Sequence, residues 1–179
     1  MTPAQLQAFK TAILADANLT DLVATGQTGA IAQYYQADST FTVWKSSTSS
    51  ADIIDAVTWS NYTPADAPDS TTLYLNRCEI CAIKRDNMRA MLASERLLTG
   101  KNSTRVNLQD ALQNVPAGAG GALLDAGWLG AGKVKATISR LANKLEALFA
   151  TGTGTASVPG NLVVEHVPGI SDVDKALAS

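Results

Sequence analysis

The sharpest chemical pattern in the chain is Gly127-Trp128-Leu129-Gly130-Ala131-Gly132-Lys133, which spaces its residues as glycine, four residues, glycine, lysine. In a phosphate-binding loop that spacing lets backbone N–H groups cradle phosphates, and the next residue gives a hydroxyl to magnesium. Here the next residue is Val134, which has no hydroxyl, and only Ala122-Leu123-Leu124 precedes the loop where a buried strand is needed. The pattern reads as a glycine loop entering a helix. Cys78 and Cys81 form a lone Cys-x-x-Cys without the second pair of a structural zinc site or the strand-helix-strand setting of a redox motif. On a helix they serve as small core residues. His166 lies in Leu-Val-Val-Glu-His-Val, where period-2 alternation puts it on the face of Val164, and no Gly-x-Ser-x-Gly elbow supplies a nucleophile for it. It reads as a surface or interface histidine. Asp52 with Asp55, and Asp172 with Asp174, read as helix-start charges and a solvated tail. With one histidine in the chain, multi-histidine zinc and iron sites are excluded within it. No residue is assigned to catalysis, a metal or a cofactor, and the expectation is a protein that is not an enzyme.

The cations are the next candidates. Residues 1 to 76 carry seven acids and two bases, net −5, whereas 77 to 105 carry seven bases and three acids, net +4. If 71 to 94 is one helix, Arg85, Arg89 and Arg96 lie on one stripe. Lys133, Arg140 and Lys144 flank the apolar stripe of a later helix. These six are candidates for a charged interface or a DNA-facing surface; their plainer reading is a solvated face. The chain has three tryptophans and four tyrosines, but they are not interleaved with the basic stretch, so base stacking is not indicated.

The elements that must position these residues are mostly helical. Thr2, Pro3 and Gln5 are a helix start, and Leu6, Phe9 and Ile13 give an amphipathic helix ending near Ala17. Short helices follow at about Thr20–Thr25 and Thr28–Gln36, separated by Gly26 and Gly29. Phe41 to Lys45 reads as a strand, Ala51 to Trp59 as a helix capped from the Ser46–Ser50 run, and Asn61 to Ser70 as a loop. In 71 to 94 apolar residues spread around most of the wheel, which means either a deeply buried helix or two helices with a break near Asp86. Asn107 to Val115 is a short helix, and Pro116 to Gly132 a long glycine-rich loop. Val134, Ile138, Leu141, Leu145, Leu148 and Phe149 share about 100° of arc, as one amphipathic helix would. Thr151 to Gly160 reads as a flexible connector, Leu162 to Val167 as β-like, and Ile170, Val173 and Leu177 as anchors of a tail. The fold expected is mainly α: a helical bundle body over 1–150, one or two short β segments, and a hinge with an extended C-terminal arm over 151–179. Leu162 to Val167 can add as a strand to a neighbour or pair with Phe41 to Lys45 within the chain. On this reading, deleting 151–179 leaves the body folded.

The 179-residue, 18.7 kDa chain is 46% hydrophobic and 17% charged, with net charge −2. That length supports one ordinary core, and the charge argues against bulk attraction to a phosphate backbone. No secretory signal, membrane-spanning stretch or disulfide framework is read, so the expectation is a cytosolic product without a membrane partner.

Three segments carry a resemblance: Thr2-Pro-Ala-Gln-Leu-Gln-Ala-Phe-Lys, Ala30-Ile-Ala-Gln-Tyr-Tyr running to Phe41-Thr-Val-Trp-Lys, and Leu145-Glu-Ala-Leu-Phe-Ala-Thr-Gly-Thr-Gly-Thr. Together they resemble the head-to-tail adaptor, or connector, proteins of the tailed-bacteriophage neck. The resemblance covers about a quarter of the chain and includes no catalytic signature. It implies a structural virion protein made in the host cytoplasm, with a mostly helical subunit repeated as a ring of twelve. The partners implied are the portal protein, a tail tube or nozzle protein, and DNA only in passing. Under it the arm residues Leu162, Val163, Val164, His166, Val167, Ile170, Val173 and Leu177 would bind the portal or a neighbour. The alternative is a small nucleic-acid-binding regulator using the basic stretch 77–105.

Overall fold

The computed structural model describes residues 1–66, 71–125, 127–128 and 133–179. It is mainly helical, with two small two-stranded antiparallel sheets. The chain divides into two units, one of Met1–Val43 with Leu141–Ser179 and one of Trp44–Arg140.

The first unit begins with α1 (Pro3–Ala15), which starts as its sequence indicates. Gln5 N–H donates to Thr2 Oγ1 at 3.3 Å, and Thr2 N–H donates to Gln5 Oε1 at 2.7 Å. Asp16 ends the helix in an extended conformation and caps a 3-10 turn over Ala17–Leu19. Next come α2 (Thr20–Ala24), Gly26 at φ 68°, and α3 (Thr28–Gln36). The unit's later half adds α8 (Lys144–Phe149) and α9 (Ile170–Ala178). Phe9, Ile13, Leu19, Ile31, Tyr35, Leu145, Val173 and Ala176 form the core, with the Phe9 and Tyr35 rings edge to face at 4.9 Å.

The second unit holds α4 (Ser50–Ala56), capped by Ser49, then α5 (Thr72–Met91), capped by Thr71, α6 (Asn102–Leu112) and α7 (Val134–Thr137). Strand β2 (Thr48–Ser49) pairs antiparallel with β3 (Arg96–Leu97). Ile53, Met88, Leu108, Leu112, Trp128, Val134 and Ile138 fill its core. Tyr62 donates its hydroxyl to the Ala111 carbonyl at 3.0 Å, and burial, followed by the nearby Cys81, pushes its pKa up to about 12. The other sheet pairs β1 (Asp38–Trp44) with β4 (Ser139–Asn143).

Several expectations fail for identifiable reasons. The single helix over 134–149 is instead α7, β4 and α8. Thr137 and Ser139 hydroxyls donate back to the carbonyls of Lys133 and Lys135, ending the first piece. Asn143 then starts the next with a full capping box to Glu146. The apparent single stripe is two half-stripes: Val134 and Ile138 serve one core, and Leu145 and Phe149 the other.

The division at 150 and the free arm also give way. Val173 and Ala176 of α9 are fully buried, packed with α1 and α3, because an apolar i, i+3 pair on a helix makes a core face. Leu162 to Val167 forms no strand. The pairing lies just before it, within the chain, where Gly160 N–H donates to Thr42 O at 2.8 Å and Thr42 N–H donates to Gly154 O at 2.7 Å. Nor is Thr151 to Gly160 a loose connector. A Cβ at Gly154 or Gly160 would lie 2.3 or 2.4 Å from the Phe41 ring, so the glycines let the backbone close on that ring.

Finally, α5 is continuous through Asp86 yet not deeply buried. Its buried face is the seven-spaced row Tyr74, Cys81 and Met88, with Met91 packed beside it, while Leu73, Leu75, Ile80 and Ile83 are exposed.

Candidate functional site

Among the described residues of the second unit, α5 carries four exposed large apolar side chains, Leu73, Leu75, Ile80 and Ile83. No glycine or proline interrupts Thr72 to Met91, and Thr71 Oγ1 accepts from Tyr74 N–H at 3.2 Å. Asp86 is held on the helix by Arg85, at 3.3 Å, and Arg89, at 3.8 Å. With one side turned to the core, Leu73, Ile80 and Ile83 are 73%, 44% and 52% exposed. Asn76, Asn87 and Ala90 are exposed on the same side.

Beside this helix is a cavity of about 370 Å³ lined by Ile54, Trp59, Arg89 and Leu92. Trp59 Nε1–H donates to the Ile54 carbonyl at 3.1 Å, which fixes the indole as a wall. The Arg89 guanidinium lies over that indole at 5.8 Å. An apolar socket with a cationic rim fits an apolar side chain next to an acidic one.

The predicted cations do not form the two stripes expected. Arg85 and Arg89 are on α5, but the helix ends at Met91, so Arg96 sits in β3 and donates to Ser47 Oγ at 2.9 Å. Lys133 precedes α7, Arg140 is in β4 and Lys144 is in α8, where its ammonium lies 3.3 Å from the centre of the Tyr34 ring. Other bases of the 77–105 stretch are engaged within the chain. Arg77 pairs with Asp66 at 2.5 Å, and Lys84 donates to the Asp110 carbonyl. Arg105 is buried, donates to the Thr99 and Gly100 carbonyls and stacks over Trp44 at 4.9 Å.

The eight arm residues separate into two groups. Val173 is in the core of the first unit, and Leu177 packs against it. Val163, Val167 and Ile170 are exposed, while Leu162, Val164 and His166 are half-buried, so the period-2 alternation holds without a strand. His166 Nε2 lies 2.9 Å from Asp172 Oδ2, the same oxygen that accepts from Gly169 N–H to start α9. Its own carbonyl accepts from Asn143 Nδ2 at 2.9 Å. His166 therefore joins two helix starts.

Of the glycine motif, Leu129 to Gly132 lie outside the described residues. At its ends, Val134 N–H donates to Gly127 O at 2.7 Å and Lys135 N–H to Trp128 O at 3.1 Å, so these first amides of α7 already have acceptors. Cys81 is buried and Cys78 half-buried; burial, with Cys78 beside it, pushes the Cys81 thiol pKa up. Among the described residues no three His, Cys, Asp or Glu side chains gather to hold a metal ion, and no helix is long and apolar enough to cross a membrane.

The sequence had indicated the apolar residues of α5 but not that most face outward. The 3-4 spacing of Leu73, Ile80 and Ile83 with Asn76 and Asn87 was the available signal. The Trp59 socket carried no local sequence signal, since Ile54, Trp59 and Arg89 come from three separate elements. Comparison of the chain with protein-family models, with curated proteins and with solved structures gives no match.

Proposed function

We propose that this chain is a structural subunit of a tailed-bacteriophage particle, a head-to-tail adaptor that forms a ring of twelve between the portal and the tail and lets DNA pass. The observation that carries the reading is that each unit keeps large apolar side chains in solvent. The first unit exposes Leu14, Leu141, Leu148, Val163, Val167 and Ile170; the second exposes Ile54, Leu73, Leu75, Ile80, Ile83 and Val106. A ring subunit needs two different contact surfaces, since each copy meets its neighbours head to tail, and outward apolar faces suit such contacts. The three resembling segments supply the particular role. Val163, Val167 and Ile170 are the arm residues left to meet the portal or a neighbour, and a separate surface is left for the tail tube or nozzle.

The regulator reading is less well supported, because Arg77, Lys84 and Arg105 are held by Asp66 or by carbonyls of the chain itself. The test is electron cryo-microscopy and mass photometry of the full chain mixed with portal protein, beside a gel shift with short duplex DNA. A closed ring on the portal with weak, salt-sensitive DNA binding is expected. A chain that stays apart from the portal, or binds one DNA sequence tightly at moderate salt, overturns the reading.

A further inference from the structure

The two units carry patches of matching and opposite chemistry. In the second unit the socket is lined by Ile54, Trp59 and Leu92, and its cation is Arg89. At about 3.6 residues per turn, Arg89 lies on the opposite side of α5 from Ile80. Its side chain is 63% exposed, and the nearest Asp86 oxygen is 3.8 Å away, beyond hydrogen-bond reach, whereas Arg85 Nε lies 3.3 Å from that same oxygen. Among the described residues none accepts a hydrogen bond from the Arg89 guanidinium, so its fork of N–H donors is open to a carboxylate. Two cations and one anion, Arg85, Arg89 and Asp86, leave this rim net positive.

In the first unit α9 presents the counterpart. Ile170 is 56% exposed, and Asp174, also exposed, stands four residues on, so the two share a helix face with their Cβ atoms about 5–6 Å apart. Among the described residues the Asp174 side chain has neither an ion pair nor a hydrogen bond. The spacing suits the socket, where the guanidinium stands 5.8 Å from the centre of the indole wall. At about 370 Å³ the socket is small among ligand pockets, a size for aliphatic side chains.

We propose that α9 of one copy docks on the Trp59 socket of a second copy, with Ile170 in the socket and the Asp174 carboxylate on the Arg89 guanidinium. The flanking residues agree in sign, since Lys175 follows Asp174 and Asp55 follows Ile54, all exposed. The other carboxylate at this end of α9, Asp172, is held by Gly169 N–H and His166. A patch on one copy meets a different patch on the next, so each contact leaves one socket and one α9 face to be filled by further copies. The proposal rests on the ring reading in taking the neighbouring copy as occupant, and it names the two surfaces that reading requires.

A charge swap tests the contact off the portal. Sedimentation of the full chain at about 100 μM, a concentration at which weak, small interfaces fill, is expected to show species heavier than the 18.7 kDa chain. Arg89→Glu and Asp174→Arg, both at exposed positions, are each expected to keep the parent circular dichroism and to sediment as monomers. Mixing the two in equal amounts should restore the heavier species, because each altered side chain then meets the other altered one and each native side chain its native counterpart. A parent monomer, single variants that assemble like the parent, or a mixture that stays monomeric overturns the contact. The ring is read separately, by electron cryo-microscopy with portal protein. Assembly lost and regained by the swap without a ring on the portal upholds the contact and refutes the ring; a ring that both single variants still form upholds the ring and overturns the contact.

Discussion

Replacing Gly160 by alanine tests whether the glycines after α8 are structural. The new Cβ would sit 2.4 Å from Phe41 Cε1, 2.8 Å from Phe41 Cζ and 2.6 Å from the Thr151 carbonyl oxygen. Comfortable carbon–carbon separations are about 3.5–4.0 Å, so something must move by about 1 Å. The backbone is not free to do so alone, because Gly160 N–H is bonded to Thr42 O and Asn161 pairs both ways with Thr151. Overpacking of this kind costs about 1–3 kcal/mol, and the stiffer unfolded chain returns about 0.4–1 kcal/mol. The net loss is about 1–2 kcal/mol, a fall in Tm of roughly 2–8 °C for a chain of this size. Thermal unfolding by circular dichroism measures it. Gly26→Ala is the control: it meets nothing within 4 Å and bears only the strain of φ 68°. In a Phe41→Ala background the Gly160→Ala loss should shrink, since only the Thr151 contact remains. A Gly160→Ala protein that melts at or above the parent temperature, or a loss undiminished without Phe41, would refute the reasoning.

Four further outcomes are expected. Removing residues 170–179 should expose the Phe9, Ile13 and Ile31 core and strip helical signal well beyond that of α9 itself, as circular dichroism and dye binding would report. Asn143→Ala deletes a helix cap and leaves the His166 carbonyl without this donor, costing about 1–2 kcal/mol in denaturant unfolding. Burial raises the Asp172 pKa, but hydrogen bonds from Gly169 and His166 outweigh it and hold the carboxyl below its ordinary value. Its stabilisation is therefore present above about pH 4 and is lost as pH falls through the lower folded value; Asp172→Asn should flatten that acid limb of a stability–pH curve. A thiol reagent at about pH 8, near the ordinary cysteine pKa, should label Cys78 in the native protein and spare Cys81 until it unfolds.

Where a signal is local, the sequence carried it. Thr2, Pro3 and Gln5 satisfy one another within one turn, and Gly26 breaks the chain through its own backbone angle, so α1, α2 and α3 fall where spacing puts them. Periodicity misled where one apolar series serves two cores. Val134 to Phe149 keeps helical spacing throughout, yet its halves belong to different units, and nothing in the spacing marks the handover at Ser139. The glycines at 154 and 160 look like a linker because their reason, the Phe41 ring, lies more than a hundred residues away. On α5 the composition is right for a core helix, and only the partners of each face reveal that Leu73, Ile80 and Ile83 have none inside the chain's own core.

Residues 44–140 interrupt the unit built from 1–43 and 141–179, and that order has a consequence during synthesis. A ribosome completes the inserted unit before it delivers Leu145, Val173 and Ala176, so Phe9, Ile13 and Ile31 wait through most of translation without their final neighbours. A product interrupted before residue 170 lacks Val173 and Ala176 and leaves the core around Phe9, Ile13 and Ile31 incomplete.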